Sequence, residues 1–300
     1  MNMTKRITAA LTAMTLCFSL AACSSNGGNA GGDAAKGKTP AEQVAAAVEK
    51  LNAVKNFSIS MQQDVDMSMK VADQSQDLTY AINMDMDVFQ NPMKAKGKVT
   101  VDLGDLGGKQ ETEMYMQETN GEAFVYVGMN GQWVKQSADV EGMEMYDVQD
   151  TMDLYLDNAS DFKEAGSEQV NGTDATKISG VIKGDKLAEV LEESGIMNMV
   201  EQFAATGATE DDVEKMLSNL GDMSMTVWVS AEGYPVQYEM DMTAMLSGIM
   251  DSALKAAGAA EQGVSMQVSK AKISMTCSNF DSAPDFELPA ELENATDMAA

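Results

Sequence analysis

The stretch FSISMQQDVDMSMKV, residues 57–71, decides the fold class. Phe57, Ile59, Met61, Val65, Met67, Met69 and Val71 share one side of an extended chain, and Ser58, Ser60, Gln62, Asp64, Asp66, Ser68 and Lys70 share the other. Successive strand residues point to opposite faces, so this period of two predicts a long strand with one face buried and one wet.

The same alternation recurs downstream. Leu78, Tyr80, Ile82, Met84, Met86 and Val88 point inward from a second strand, and Val99, Val101 and Leu103 from a third in KAKGKVTVDLG. ETEMYMQE forms a fourth; Asn120-Gly121 and Asn130-Gly131 then bracket EAFVYVG and lead into QWVKQS. Asn-Gly tolerates the positive φ angles of tight hairpin turns, so residues 57–137 read as an antiparallel meander of about six strands.

On the N-terminal side, PAEQVAAAVEKLNAV follows Thr39 as N-cap with Pro40 at the first helical position, which predicts a helix. Beyond the meander, YDVQDTMDLYLDNAS (146–160) has helical character, and FKEAGSEQV and TDATKISGVI form a hairpin across Asn171-Gly172. GDKLAEVLEESGIMNMVEQFAA and TEDDVEKMLSNLG carry helical periodicity, with Thr209 capping the second and Gly221 ending it. The hairpin MSMTVWVSAEGYPVQYEMDMT, a helix over about 244–261 and a last strand in SMQVSKAKISMTCSNF complete an α+β pattern in which helices interrupt one sheet. Trp133 and Trp228 are expected to cap the core of that sheet.

The first forty residues belong to targeting. Lys5 and Arg6 precede a largely apolar run from Ile7 to Leu20, in signal-peptide order. Fourteen helical residues rise about 21 Å, short of the roughly 30 Å hydrocarbon core, so the run is too short to span. Leu20-Ala21-Ala22-Cys23 resembles the lipobox of bacterial lipoproteins, in which small residues expose a cysteine thiol for thioether formation with a diacylglyceryl group. The expected organisation is a signal peptide over 1–22, a lipidated flexible tether over 23–39, one domain over 40–296 and a tail over 297–300. The tether, SSNGGNAGGDAAKGKT after Cys23, nearly lacks large apolar side chains and spans some 20 Å on average. The expected location is the extracytoplasmic face of the cell membrane, held by several acyl chains on Cys23, since a single chain binds only marginally.

Removal of residues 1–22 takes away Lys5 and Arg6 and no acid, moving the net charge from -27 to -29. So acidic a surface repels nucleic acid and anionic headgroups. No histidine is present, which removes the commonest general base, the Ser-His-Asp triad and most zinc or non-haem iron sites, and no carboxylate pair stands out. The protein is therefore expected not to be an enzyme and to need no cofactor. Loss of Cys17 with the signal and commitment of Cys23 to lipid leave Cys277 without an intramolecular disulfide partner, and a buried thiol is expected there. Asp64, Asp66, Asp85 and Asp87 read as a solvated strand face, for Asp64-Val-Asp66 lacks the glycine of a calcium loop.

The phrases NGQWVK, VNGTDATKISGVI, TVWVSAEGYPVQYEMDM and SNFDSAPDFELPAEL, behind a tethered helix and a long meander, resemble a group of Gram-positive lipoproteins without an assigned function. That group is similar in plan to the LolA and LppX/LprG-like superfamily. The resemblance implies a curved antiparallel sheet, a half-barrel with helices packed on its concave apolar face, and a cavity for an acyl chain or other hydrophobic small molecule.

Methionine is the compositional peculiarity. Twenty-four of 27 survive processing, and Met-x-Met occurs at 67/69, 84/86, 114/116, 143/145, 197/199, 223/225 and 240/242. In a strand such pairs set two thioethers on one face. Three readings stand: adaptable core filler, the deformable lining of a lipid cavity, or soft-donor capture of Cu(I). Under the second, the candidate ligand-facing residues are Met67, Met69, Tyr80, Met84, Met86, Met114, Met116 and Met225. A different class of function is a protein-interaction or sensory accessory module whose sheet encloses only a core.

Overall fold

A computed structural model describes residues 37–71, 74–104, 107–119, 122–129, 132–138, 154–193, 217, 220–256, 258 and 263–297. Contacts divide the chain into Met1–Gly31 and Gly32–Ala300, and every described strand and helix lies in the second unit.

Helix α1 (Pro40–Asn52) begins as the sequence dictates. Thr39 Oγ1 accepts from the Glu42 N–H at 3.3 Å and Glu42 Oε2 accepts from the Thr39 N–H at 2.7 Å, a reciprocal capping box with Pro40 at the first position. Its buried Val44, Ala47 and Leu51 fall on one stripe.

The meander follows as β1 (Asn56–Val71), β2 (Gln74–Gln90), β3 (Met93–Asp102), β4 (Lys109–Thr119), β5 (Glu122–Met129) and β6 (Gln132–Ala138), each paired antiparallel with the next. The Asn120-Gly121 and Asn130-Gly131 turns lie outside the described residues, although Thr119 pairs with Glu122 and Met129 with Gln132 on either side of them. β7 (Ala159–Val170) and β8 (Thr173–Ile182) form the next hairpin, turning at Asn171 (φ 50°) and Gly172 (φ 83°) as expected of Asn-Gly. Of the helix read over 146–160, residues 154–157 are described and helical; β7 already starts at Ala159.

Helix α2 (Gly184–Glu193) opens where Asp222 accepts from the Gly184 N–H at 3.1 Å. The remainder of the helix read beyond it, and all but the end of TEDDVEKMLSNLG with Thr209, lie outside the described residues. β9 (Met223–Ser230), β10 (Pro235–Asp241), helix α3 (Thr243–Ala256) and β11 (Val264–Ser278) complete the body. Thr243 fixes α3 to β11, because its hydroxyl accepts from the Ala271 N–H at 2.9 Å while Met242 N–H donates to the Ala271 carbonyl at 2.8 Å. A 3-10 turn, Ala290–Asn294, leads to the short β12 (Thr296–Asp297).

All twelve described strands belong to one open, curved sheet in the order β12-β6-β5-β4-β3-β2-β1-β11-β10-β9-β8-β7. It is antiparallel throughout except where β12 runs parallel to β6. Register breaks at Asp66/Met67 in the β1–β11 pair and at Pro235/Gln237 in the β10–β9 pair add local twist. The main core lies between the sheet and α1, where Val44, Ala47 and Leu51 meet Phe57, Ile59, Ile178, Val227, Tyr238 and Met275. Leu246 and Met250 of α3 pack over Val65, Val268 and Ala271 on the same side of the sheet.

The two tryptophans depart from expectation. Trp228 alternates with the core residue Val227 and so points to the other side, where it is buried with Val170, Ala175 and Val236 and donates from Nε1 to Glu168 at 2.6 Å. Trp133 stands edge-on to Tyr115, ring centres 5.5 Å apart, again on the second side. Apolar area on that side is supplied by the chain end. Phe286 packs against Phe89 and Tyr115 at 5.8 and 6.2 Å, and Lys94 Nζ donates to Asp285 at 2.6 Å and to the Phe286 carbonyl at 3.0 Å.

Candidate ligand-binding face

Register places the predicted residues on one side of the sheet. Ile59 faces Met86 on β2, Met86 faces Gly97 on β3, and Gly97 faces Met114 on β4. The next row joins Met61, Met84 and Val99, while Met116 lies between Ala95 and Val125. Thus Met84, Met86, Met114 and Met116 form one group across three strands. Gly97 is what lets them close: a methyl there would lie 2.5 Å from Met86 Cγ and 3.2 Å from Met114 Cγ.

Met67, Met69 and Tyr80 form a second group toward the far end of β1 and β2. Met67 opposes Leu78 and Val268, Met69 opposes Gln76 and Met266, and Tyr80 opposes Val65. Met225 joins neither. It lies on β9 opposite Met240 and Gly180, 1 % exposed in the main core, with β10, β11 and β1 between it and β2. Cys23 and the Met-x-Met pairs 143/145 and 197/199 lie outside the described residues.

Burial divides the apolar side into two halves. Under the helices it is sealed, with Ile178, Ile182 and Val227 at 0 % exposure. From β1 to β5 it is mixed: Phe57, Ile59, Val65, Met86, Ala95, Met116 and Val125 are buried, and between them Met61, Met67, Leu78, Ile82, Met84, Val99, Val101, Met114 and Val127 are half-buried.

One residue on this face escaped the reading of the sequence. Gln63 occupies the same side of β1 as Met61 and Val65, opposite Ile82 and Ile273, and is the diagonal neighbour of Tyr80, which opposes Val65. Partial burial raises the Tyr80 pKa above its ordinary value, and the neighbouring Gln63 side chain works in the opposite direction. The available signal was the single polar interruption of an apolar period-two series.

The other side of the sheet is ionic. Asp85 opposes Lys98 and Asp87 opposes Lys96, Ser58 donates to Asp87 at 2.5 Å, and Lys270 meets Asp64 at 2.8 Å. The Lys270 hydrogen bond holds the Asp64 carboxyl below the usual range. An open groove of about 420 Å³ is lined by Ser58, Ser60, Asp85, Asp87, Lys96, Lys98, Glu113 and Ser278 of this side together with Ile59, Met86 and Gly97. Among the described residues no group of three or more His, Cys, Asp or Glu side chains is arranged to hold a metal ion. Cys277 is buried in the main core, where desolvation pushes its thiol up to about 12. No described helix is long and apolar enough to cross a membrane.

Among solved structures, the chain is similar to the lipoprotein LppX of Mycobacterium tuberculosis at 14 % identity, covering 83 % of this chain and 98 % of that one with a TM-score of 0.44. It is similar to LprF of Mycobacterium bovis at 14 % identity, 84 % and 97 % coverage and a TM-score of 0.46. A LolA-superfamily protein of Nitrosomonas europaea aligns at 8 % identity, 85 % and 97 % coverage and a TM-score of 0.19. No curated protein matches. One family does match, over residues 39–297, so that it takes in α1, the whole sheet and β12: the chain belongs to the family described as "Family of unknown function (DUF6612)".

Proposed function

We propose that this protein is an extracytoplasmic lipoprotein, anchored through acyl chains on Cys23, that binds a lipid or acyl ligand along the half-buried apolar face of β1–β5 and catalyses no reaction. The observation that supports it is the contrast within one face, sealed beneath α1 and interspersed from β1 to β5 with half-buried apolar residues such as Met61, Ile82, Met84, Val99 and Met114. In this reading that face is the concave side of a half-barrel and α1 and α3 roof part of it.

The energetics favour such a ligand. Each methylene taken from water contributes about 0.8 kcal/mol, so about ten buried methylenes supply roughly 8 kcal/mol before ordering costs. Unbranched methionine side chains at 67, 69, 84, 86 and 114 can re-pack around chains of different shape. The tether keeps the face some 20 Å from the bilayer on average, within reach of the lipid it would collect.

Organic extraction of the purified mature chain, followed by mass spectrometry and titration with a fluorescent acyl probe, tests the proposal. Co-extraction of lipid, or saturable probe binding, is expected. If neither occurs, lipid binding is wrong, and crosslinking in cells should instead recover a reproducible protein partner.

A further inference from the structure

The Gln63–Tyr80 pair sets neutral hydrogen-bonding groups on a charge-free surface. Among the described residues, the positions of β1, β2, β3 and β11 on this side of the sheet carry no Asp, Glu, Lys or Arg. The ionic residues of these strands, among them Asp64, Asp85, Lys96, Lys98 and Lys270, stand on the other side. An anionic headgroup laid on the apolar face would be stripped of water with no cation on these four strands to receive it, at a cost of several kcal/mol.

Gln63 and Tyr80 offer three donor hydrogens between them, two on the amide and one on the phenol. Both residues are half-buried, and Tyr80 packs against the Val65–Val268–Ala271 cluster beneath α3. An apolar chain that covered the pair would leave these donors without water, so a bound molecule has to bring an acceptor or lose affinity there.

We propose that the Gln63–Tyr80 pair reads the polar end of the ligand, and that this end is a neutral hydrogen-bond acceptor, an ester or amide carbonyl, in place of a carboxylate or phosphate. This rests on the lipid-binding reading above and narrows it to one ligand class. Tyr80 O–H or a Gln63 N–H donates to the carbonyl, and the acyl chain extends over Met61, Met84 and Met86.

The test uses residues 23–300 carrying Cys23→Ser, which keep every described strand and helix. Three fluorescent probes are titrated at pH 8: cis-parinaric acid, its methyl ester, and diphenylhexatriene, which has no head. The parent chain should bind the ester at least threefold tighter than the free acid. Tyr80→Phe and Gln63→Leu should each weaken ester binding about three- to tenfold, the worth of one hydrogen bond, and leave diphenylhexatriene unchanged or tighter. Circular dichroism of each variant checks that the sheet is intact, and the two variants serve as independent removals of the pair. The inference is overturned if the free acid binds as tightly as the ester, or if both folded variants bind the ester like the parent. Diphenylhexatriene binding without head discrimination overturns this inference alone. Failure of all three probes to bind the parent overturns the lipid-binding reading and this inference with it.

Discussion

Gly97→Ala probes the closing of the methionine group over β3. A methyl built on Gly97 would sit 2.5 Å from Met86 Cγ and 3.2 Å from both Met86 Sδ and Met114 Cγ. Ordinary carbon–carbon contact is about 3.5–4.0 Å, so Met86 has to leave its place. Met86 is only 7 % exposed, and forcing a methyl into a packed site costs about 1–3 kcal/mol. Alanine restricts the unfolded chain and returns about 0.4–1 kcal/mol, leaving a net loss of about 1–2 kcal/mol. For a chain of this size that lowers Tm by roughly 2–4 °C. Urea unfolding followed by the fluorescence of Trp133 and Trp228 reads the loss directly. Met86→Ala alone should cost about 2–4 kcal/mol, and the double variant should be about 1 kcal/mol more stable than the two losses summed, because the new methyl grows into the space Met86 vacates. A Gly97→Ala chain as stable as the parent, or strict additivity in the cycle, would refute the packing described.

Three further outcomes are expected. Thr39→Ala removes one half of the capping box on α1 and should cost about 1 kcal/mol in thermal or urea unfolding; no change would mean that the cap is not stabilising α1. The Cys277 thiol, pushed up to about 12 by burial, should resist Ellman's reagent at pH 8 in the native chain and react on unfolding, and rapid native reaction would show the core to be open at β11. Asp64, Asp222 and Asp285 have carboxyls held below 3.8 by hydrogen bonds from Lys270, Lys183 and Lys94, so they are deprotonated more readily folded than unfolded. Their contribution is therefore complete above pH 3.8 and lost as pH falls below it through the folded values. Lys94→Met should shrink the acid-dependent part of stability read between pH 5 and about pH 2, and an unchanged pH profile would contradict the assignment for Asp285.

Much of the sheet was legible because burial on one face imposes a period of two. The series from Phe57 to Val71 and from Leu78 to Val88 fixed β1 and β2 and which side of each is apolar, and Asn171-Gly172 marked its hairpin through the positive φ that both residues adopt. Strand order was not legible. Nothing in the alternation of β11 says that it pairs with β1 on one side and β10 on the other, since any strand with the same period could dock there.

Depth was equally silent: Met225 and Met84 carry the same Met-x-Met signature, yet one is sealed in the main core and the other half-buried. Residues 279–297 gave no period at all, because that segment is held by single long-range hydrogen bonds. Lys55 N–H donates to Asp281 at 2.6 Å, and Ala283 N–H donates to Asn56 at 2.8 Å. Local sequence does not encode partners more than 220 residues away.

The β1–β11 pairing has a consequence for how the chain must be completed. Ser58 lies opposite Ser278, and the ladder continues to Val71 opposite Val264, so the middle of the sheet joins the two ends of the sequence. A nascent or truncated chain that stops before residue 264 holds a meander ending in an unpaired β1 and a separate β7–β10 group ending in an unpaired β10. Both are open templates for another molecule's strand. Residues 264–278 close both edges at once and act as the keystone of the sheet.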